Sequence, residues 1–509
     1  MQSAEHGSSR ASIATLLFVA VYAAAIYLPF LGDSRTLSSH EVMVTHPAQR
    51  ILSDGEWIVP PYAGGSWLDK PPLVNWVTAV GFALFGFSEF VARIPAALSA
   101  IGLSVLVAWI AGRFVGSRAA LFAGLVQATT VYAFTHGRLG EIDMPLTLLV
   151  AGGNAVLMSR WARGHLDLPW HHGVAFYTIA ALAVLAKGLV GAVFLGTTVL
   201  SFCAIRRSWK PFRAVVWTPT ILCFIVIAGW WHVAAWLQDR GAAVDQWAYN
   251  SLMRFLGLTH LGTESPMFYF WTVPWLFLPW TIALVIGAKL LWRDARGPNA
   301  RTHQFLWAWF LGGFVFLTIS FFKHKHYIIP ALPPLSIFCA LLLVRHVDAV
   351  RPHAKRVYMV VFTVIPIVYG IVSGVVMPSR DHRRATFEFL REATARVPAD
   401  ETLYVVGLGQ SSAYPYITHD RIAYIDRPDH VMAALDGAGG GPIWILTLRE
   451  YENRREALGI SFEEIQGEPI REKHPRPETM VLGRLTRRPD TQPSPSAAPA
   501  TASAPVDEP

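Results

Sequence analysis

The sequence has 509 residues, of which 53% are hydrophobic and only 15% are charged. Soluble globular proteins carry about 25% charged residues, so this composition excludes an ordinary soluble enzyme. The aromatic content of 12% excludes a chain that is disordered throughout. The formal net charge of +8 is compatible with a nucleic-acid partner or with the basic loops of a membrane protein. The positions of the charged residues distinguish these two interpretations.

Apolar runs of the length that crosses a bilayer recur through most of the chain. A transmembrane helix needs about 20 predominantly apolar residues. The stretch Leu73–Phe87 is only marginally long enough, and we interpret it as interfacial or half-inserted. The sequence predicts an all-α polytopic membrane domain in residues 1–377, with about 11 to 13 transmembrane helices. The eleven clearest predicted spans lie near 11–31, 91–112, 119–136, 144–159, 174–186, 189–205, 214–237, 268–289, 304–322, 327–344 and 357–377.

Lysine and arginine residues are concentrated in alternate loops between the predicted spans. They follow the second, fourth, sixth, eighth and tenth spans, so these loops share one side of the membrane if eleven spans alternate. The positive-inside rule assigns that side to the cytoplasm. We therefore expect an inner-membrane protein with a cytoplasmic N-terminus and membrane lipids, not nucleic acid, as its surroundings. The loops expected to face outside are 32–72, 137–143, 238–267 and 323–326.

Residues 378–486 differ from the preceding segment, because charge rises and the apolar runs shorten. This pattern indicates a small extracytoplasmic α/β domain. Gly407-Leu408-Gly409 lacks the third glycine of a dinucleotide-binding GxGxxG motif, so we interpret it as a turn. Residues 487–509 are rich in proline and alanine and predict a disordered tail. The predicted strands are Thr402–Val406, Ile422–Ile425, Ile443–Leu446 and Thr479–Leu482, and the predicted helices are Arg383–Val397 and Arg449–Leu458.

The loops expected outside contain most of the unusual polar residues. Lys70 is followed by Pro71 and Pro72, which prevent a continuing helix and hold the lysine at the membrane surface. Cations on the outer side run against the positive-inside bias, which favours a functional site. Two structural alternatives stay open: Asp143 caps a helix, and the Lys187 side chain extends to the lipid headgroups. The candidate residues are His40, Glu41, Asp69, Lys70, Arg138, Glu141, Asp143, Lys187, Arg254, Lys325 and Tyr327.

Acids and cations together at the outer face fit the transfer of a group from a lipid-phosphate donor. Cations stabilise the departing phosphate, and a carboxylate accepts the proton of the attacking hydroxyl. The sequence has no DxD motif for a nucleotide sugar and no Walker motif for ATP. His324 with His326, or His40 with Glu41, would suit a divalent metal, although this spacing requires none. A transporter or flippase of lipid-linked sugars is the alternative function, since it needs the same groove and cations.

Several motifs along the first outer loop and beyond resemble one family. Together they are similar to the C-type polytopic glycosyltransferases, and most of all to the bacterial aminoarabinose transferases and protein O-mannosyltransferase-like enzymes. The resemblance covers residues 10–345. The motifs are His40-Glu41, Gly55-Glu56-Trp57-Ile58-Val59-Pro60, Leu68-Asp69-Lys70-Pro71-Pro72-Leu73, Ala92-Arg93-Ile94-Pro95, Asp143-Met144-Pro145-Leu146, Leu185-Ala186-Lys187-Gly188, Arg254-Phe255, and Lys325 through Tyr327-Ile328-Ile329-Pro330.

The resemblance implies an enzyme that transfers a hexose or pentose, with inversion, from a polyprenyl-phosphate donor. The implied acceptor is a hydroxyl or phosphate of lipid A, a protein or a cell-surface glycan outside the cytoplasm. Glu41 matches the family's catalytic acidic pair, in which His40 here replaces the usual aspartate, and Met43 replaces an arginine. A non-catalytic member of the fold is therefore a further alternative. Asp143 matches a second carboxylate, and Lys70, Arg254 and Tyr327 match groups that hold the donor phosphate, with Lys325 as an additional cation.

Overall fold

The chain forms two compact units in its computed structural model. The first consists of Met1–Ser34, Pro47–Pro60 and Ser66–Pro378, and the second of Arg35–His46, Pro61–Gly65 and Ser379–Pro509. The predicted turn at 407–409, helix at 449–458 and tail after 487 lie outside the described residues. The structure describes residues 11–62, 65–259, 262–297, 300–350, 352–381, 383–406, 414–417, 421–425, 428–437, 442–448, 460–469 and 479–487.

The first unit is helical, which confirms the predicted all-α polytopic class. A few of its helices begin at ordinary capping residues: the Ser88 hydroxyl accepts a hydrogen bond from the Val91 amide before the 26-residue helix Glu89–Phe114. The helices are Ile13–Tyr27, Ser39–Asp54 (which begins in the second unit), Leu73–Phe85, Glu89–Phe114, Ser117–Thr129, Val131–His136, Asp143–Trp161, Trp170–Lys187, Val190–Arg206, Lys210–Val216, Ile221–Gln238, Arg240–Ala248, Arg254–Leu256, Phe268–Leu276, Thr281–Asp294, Ala300–Ile319, Pro333–Val350, Pro352–Ile371 and Met377–Ser379, with π turns at Tyr249–Met253 and Val372–Val376 and a 3-10 helix at Lys325–Ala331.

Small residues let the helices of the first unit pack closely. A Cβ atom on Gly312 would lie 2.6 Å from the backbone oxygen of Thr197, so glycine is needed where Ala300–Ile319 crosses Val190–Arg206. Large rings fill the space beside such contacts: Trp161 stacks on Phe202 with ring centroids 5.5 Å apart. Close backbone approach and dense apolar packing hold the bundle together.

Five described helices are individually long and apolar enough to cross a membrane, or six if one bent pair counts as a single span. The other predicted spans correspond to shorter or more polar helices. For example, Asp143–Trp161 buries Thr147 and Asn154 inside the bundle. The number of spans therefore stays a prediction, because several predicted spans are shorter helices and interior helices need less apolar surface than helices that face lipid. The five helices are Glu89–Phe114, Ile221–Gln238, Ala300–Ile319, Pro333–Val350 and His353–Ser379.

Two predicted spans are broken, and their breaks meet. The span near 268–289 is a pair of helices bent by 112°, because Pro279 lies between them and cannot continue a helix. The span near 119–136 breaks at Thr130, whose backbone is extended. The Val131 amide donates a 2.9 Å hydrogen bond to the Leu278 carbonyl oxygen. Each break thus satisfies a backbone group of the other, as burial within a membrane protein requires.

Two predicted outer loops contain helices. The loop 32–72 contains the helix Ser39–Asp54, and the loop 238–267 contains Arg240–Ala248 followed by the π turn Tyr249–Met253. π turns are rare and occur frequently at functional sites. These helices fix the positions of polar residues that the sequence alone assigned only to loops.

The second unit contains a five-stranded sheet, which confirms the predicted small α/β fold. Three parallel strands adjoin an antiparallel pair. The predicted helix 383–397 is present as Arg384–Thr394, and a further helix is Pro428–Gly437. The strand Ile460–Pro469 was not predicted, because its sequence ISFEEIQGEP is mostly polar and it pairs with only one neighbour. The strand order is Ile422–Ile425, Leu403–Val406, Ile443–Leu448, Thr479–Arg487 and Ile460–Pro469; short segments Pro61–Tyr62 and Gly65–Ser66 pair separately, and a 3-10 turn spans Tyr414–Tyr416.

Candidate active site

A cavity of about 340 Å³ in the first unit brings together three of the predicted cations. Lys70, Lys187 and Arg254 line it, and the Tyr327 ring lies beside them. Most of the remaining wall is aliphatic and aromatic. A polar cluster at one end of an apolar cavity suits a ligand with an anionic head and a hydrocarbon tail. The other lining residues are Leu146, Leu189, Val190, Val193, Phe194, Asn250, Ser251, Leu252, Phe255, Phe316, Leu317, Ser320 and Phe322.

The ion pair of Asp143 and Lys187 connects two helices at this cavity. Asp143 begins the helix Asp143–Trp161, and Lys187 is the last residue of Trp170–Lys187. The Lys187 ammonium donates a 2.5 Å hydrogen bond to Asp143 Oδ1 and lies 4.8 Å from the Tyr327 ring centroid. Lys187 therefore does not extend to the headgroups, and Ile142, not Asp143, occupies the N-cap position. Both structural alternatives for these residues were wrong.

Arg254 is fixed at the end of the π turn by two aromatic rings. Its Cζ lies 5.4 Å from the Tyr249 ring centroid and 5.5 Å from that of Phe322. Cation–π contacts of this kind hold the guanidinium plane without using its N–H donors. The buried Nε of Arg254 has no hydrogen-bond partner among the described residues. This Nε–H donor is thus available to an anionic group in the cavity.

Lys70 has an unusual charge environment. It is half-buried, and its ammonium donates a 3.2 Å hydrogen bond to the Asp69 carbonyl oxygen. Burial lowers the pKa of Lys70 to about 8; Asp69 and Asp143 oppose this effect, whereas Arg254 and Lys187 add to it. An anion bound among these cations would reverse the repulsion between them. The arrangement therefore favours a bound phosphate electrostatically.

The chain and its fold are similar to known membrane glycosyltransferases. The dolichyl-phosphate-mannose-protein mannosyltransferase family matches residues 69–236. The chain is 27% identical over 351 residues to the undecaprenyl phosphate-alpha-4-amino-4-deoxy-L-arabinose arabinosyl transferase of Pseudomonas savastanoi pv. phaseolicola, which covers 67% of this chain and 63% of the relative. The structure of the present chain is similar to that of ArnT from Cupriavidus metallidurans bound to undecaprenyl phosphate. The TM-score is 0.74 and the identity 19%, and the match covers 92% of this chain and 97% of ArnT.

The apo oligosaccharyltransferase of Archaeoglobus fulgidus is also similar, with a TM-score of 0.56, 11% identity, and 90% of this chain and 71% of that chain covered. The chain has the fold of the C-type membrane glycosyltransferases. It is accordingly a multi-pass membrane protein, as the apolar runs predicted. The chain spans about 63% of the length of the first curated relatives that it matches.

Glu41 lies in the second unit of this C-type glycosyltransferase fold, in a capping box. Its Oε2 accepts a 2.8 Å hydrogen bond from the Ser38 amide, and the Ser38 hydroxyl accepts one of 3.4 Å from the Glu41 amide. Arg35 lies 3.7 Å from the same carboxylate oxygen. The carboxylate is buried, whereas the adjacent His40 is exposed. The Ser38-x-x-Glu41 spacing is the signal that would have predicted the helix Ser39–Asp54 within the C-type first loop.

Arg138 and Glu141 have structural partners in the C-type membrane domain. Arg138 donates from one nitrogen to the Ile26 and Tyr27 carbonyl oxygens, at 3.1 and 2.7 Å. These carbonyls end the helix Ile13–Tyr27, where a cation is favourable. Glu141 Oε2 lies 3.1 Å from His136 Nδ1. Neither Arg138 nor Glu141 lines the cavity, so the structure does not bring them together with Lys70 and Arg254.

Of the remaining candidate residues in this C-type fold, some contact residues of the cavity and others do not line it. Lys325 is exposed and does not line the cavity, whereas Asp69 accepts a 2.8 Å hydrogen bond from the cavity residue Asn250. The rings of His324 and His326 stack at 5.3 Å, and burial lowers the pKa of His326 to about 3. Among the described residues, no group of three or more His, Cys, Asp or Glu side chains is suited to a metal ion. Sequence reasoning missed Asn250, since no motif signals it.

Proposed function

We propose that this protein transfers a sugar from an undecaprenyl-phosphate donor to an acceptor at the outer face of the inner membrane. The observation that carries the proposal is the convergence of Lys70, Lys187 and Arg254 on one mainly apolar cavity. Three cations without a matching number of carboxylates favour an anionic ligand. The apolar wall suits the isoprenoid chain next to its phosphate. The cytoplasmic N-terminus and the outward C-terminal unit, inferred from the basic loops, belong to the same proposal.

The proposed reaction is an in-line displacement at the anomeric carbon. The acceptor oxygen forms the new bond to that carbon as the bond between the carbon and the phosphate oxygen breaks. Lys70 and Arg254 stabilise the departing phosphate, and Tyr327 donates a hydrogen bond to it. Glu41 takes the proton of the acceptor hydroxyl. Asp143 holds Lys187 beside Tyr327 through their ion pair.

The names of the relatives suggest the sugar and two acceptor classes. Several are arabinosyl transferases that use undecaprenyl phosphate-4-amino-4-deoxy-L-arabinose, and the family matched at 69–236 transfers mannose to protein. We propose the amino sugar as the donor group and a lipid such as lipid A as the acceptor, because the relatives with that donor match a longer part of the chain.

The deciding experiment uses the full chain reconstituted in lipid vesicles with undecaprenyl phosphate-4-amino-4-deoxy-L-arabinose. We expect mass spectrometry to find the sugar on lipid A added as acceptor, with release of undecaprenyl phosphate. Sugar found instead on added protein would change the acceptor class. Movement of intact donor across the bilayer with no covalent transfer would contradict the proposal and favour a flippase.

The affinity for undecaprenyl phosphate should depend on the charge of Lys70. Because the Lys70 pKa is about 8, its ammonium is present below that pH and is lost as pH rises through it. Once the phosphate is almost fully ionised, near pH 7, we expect the dissociation constant to rise about twofold by pH 8, where half of the Lys70 side chains have lost their proton, and to rise progressively above pH 8. Lys70→Arg is the matched control, since guanidinium stays protonated throughout. Equal pH profiles for the wild type and this variant would contradict the assignment.

A further inference from the structure

Asn250 is a cavity residue whose amide orientation is determined by its neighbours. Its Nδ2 donates to Asp69 Oδ1 at 2.8 Å and to the Gln246 carbonyl oxygen at 2.9 Å. Both partners are acceptors only, so a flipped amide would place Oδ1 against two oxygens. Both N–H donors of Asn250 are therefore used, and the orientation of the amide is unambiguous.

The other end of the same amide has no partner. Asn250 Oδ1 is buried and accepts no hydrogen bond from the described residues. A buried acceptor without a donor is costly, because it has lost its water without replacement. Asn250 lines the cavity with Lys70, which follows Asp69 in the chain, and with Arg254, four residues further along. The residue that carries the unused acceptor therefore lines the same cavity as the cations.

We infer that Asn250 Oδ1 accepts a hydrogen bond from the donor sugar, and that Asn250 distinguishes sugar-loaded lipid from free undecaprenyl phosphate. This inference rests on the proposed function. A phosphate with no proton to donate satisfies Lys70 and Arg254 but not a carbonyl oxygen, which needs a hydroxyl or ammonium group. In a sugar phosphate, these groups lie within a few bonds of the phosphorus. Asp69 is a positioning residue here, since it orients the Asn250 amide and does not itself contact the reacting atoms.

The π turn Tyr249–Met253 explains how one short segment supplies both kinds of recognition. Asn250, Ser251 and Leu252 all line the cavity, together with Arg254 just beyond the turn. Asn250, the acceptor for the sugar, and Arg254, the cation for the phosphate, are therefore held by one short stretch of backbone. Discrimination between loaded and unloaded lipid would favour binding of the substrate over retention of the lipid product.

The test compares the affinities of the full chain for three lipids: undecaprenyl phosphate, its 4-amino-4-deoxy-L-arabinose conjugate and its mannose conjugate. We expect wild type to bind a conjugate more tightly than the free lipid. Asn250→Leu should weaken that conjugate about tenfold, the scale of one hydrogen bond with an unpaired buried group, and should leave undecaprenyl phosphate within about twofold. Loss on the amino sugar alone identifies the ammonium group; loss on both conjugates identifies a hydroxyl.

Asn154→Leu is the matched control, because Asn154 is buried in the helix Asp143–Trp161 and does not line the cavity. It should not change the preference for loaded lipid. Equal weakening of all three lipids in Asn250→Leu, or no preference in the wild type, would overturn the inference and leave the proposed function intact. Failure of the wild type to bind undecaprenyl phosphate would overturn the proposed function itself.

The first part of a second measurement needs no protein variant. Donor lipids that each lack one sugar hydroxyl or the amino group are compared on the wild type. We expect one of them to bind about tenfold more weakly than the parent donor, and Asn250→Leu to lose nothing further with that same lipid, as a shared contact requires. Wild-type binding that is unchanged across all these lipids would contradict the inference even if Asn250→Leu failed to fold.

Discussion

Replacing Lys70 with methionine is expected to lower the rate of sugar transfer by about 10²–10³, the scale of one preorganised group that stabilises developing charge. The methionine keeps a similar apolar length but removes the ammonium from the cavity that Lys70 shares with Lys187 and Arg254. Because negative charge grows on the phosphate as it departs, the loss should appear in kcat as well as in binding. Turnover of labelled undecaprenyl-phosphate donor by the purified chain measures it.

Lys325→Met is the control for that experiment. Lys325 was also a predicted cation, but it is exposed and does not line the cavity. An exposed lysine without a described partner contributes little to a reaction in a buried cavity. We expect transfer within about twofold of wild type, since long-range attraction is screened by salt. Equal losses in the two variants would contradict a specific role for Lys70.

Replacing Glu41 with glutamine should lower transfer by about 10²–10⁴, the range for a general base, without unfolding the chain. Glutamine also closes a capping box, so the hydrogen bond from the Ser38 amide is retained. The side chain would nevertheless be unable to accept a proton at neutral pH. Transfer rate and thermal unfolding, measured on the same preparation, separate the catalytic role from the structural one.

Ser38→Ala is the complementary variant. It removes the hydroxyl that accepts from the Glu41 amide but keeps the carboxylate. We expect a loss of about 1 kcal/mol in stability, typical of a lost N-cap, with transfer close to wild type. If Glu41→Gln retained full activity and Ser38→Ala did not, Glu41 would have only a capping role. A non-catalytic member of the fold would show no transfer in the wild type at all.

Much of the fold was predictable because it follows from apolar length. The bilayer requires long apolar helices, so runs such as 91–112 and 304–322 were found within a few residues of their observed bounds. The breaks were harder to predict. Pro279 is a visible signal, but Thr130 is an ordinary residue whose extended backbone depends on the hydrogen bond from Val131 to the other broken helix. Such a contact has no local signature.

The sequence predicted the types of residue in the candidate site, but it did not predict which of the candidate residues line the cavity. The rule that cations in loops expected outside are unusual selected Lys70, Lys187 and Arg254, and these three residues share the cavity. The same rule also selected Arg138, which instead binds the carbonyl oxygens at the end of a helix. An arginine that caps a helix and an arginine that binds phosphate have the same sequence appearance, because both need only exposed oxygens within reach.

The sequence by itself determined that the protein lies in a membrane, that it is helical, and which chemical types occur in the loops predicted to face outside, since these depend on composition and on charge along the chain. Only the tertiary structure decided which of those residues meet. More than a hundred positions separate Lys70 from Lys187 in the sequence, and more than sixty separate Lys187 from Arg254. Their meeting, and the orientation of the Asn250 amide beside them, depend on helix packing and on a π turn, which contacts between distant segments specify.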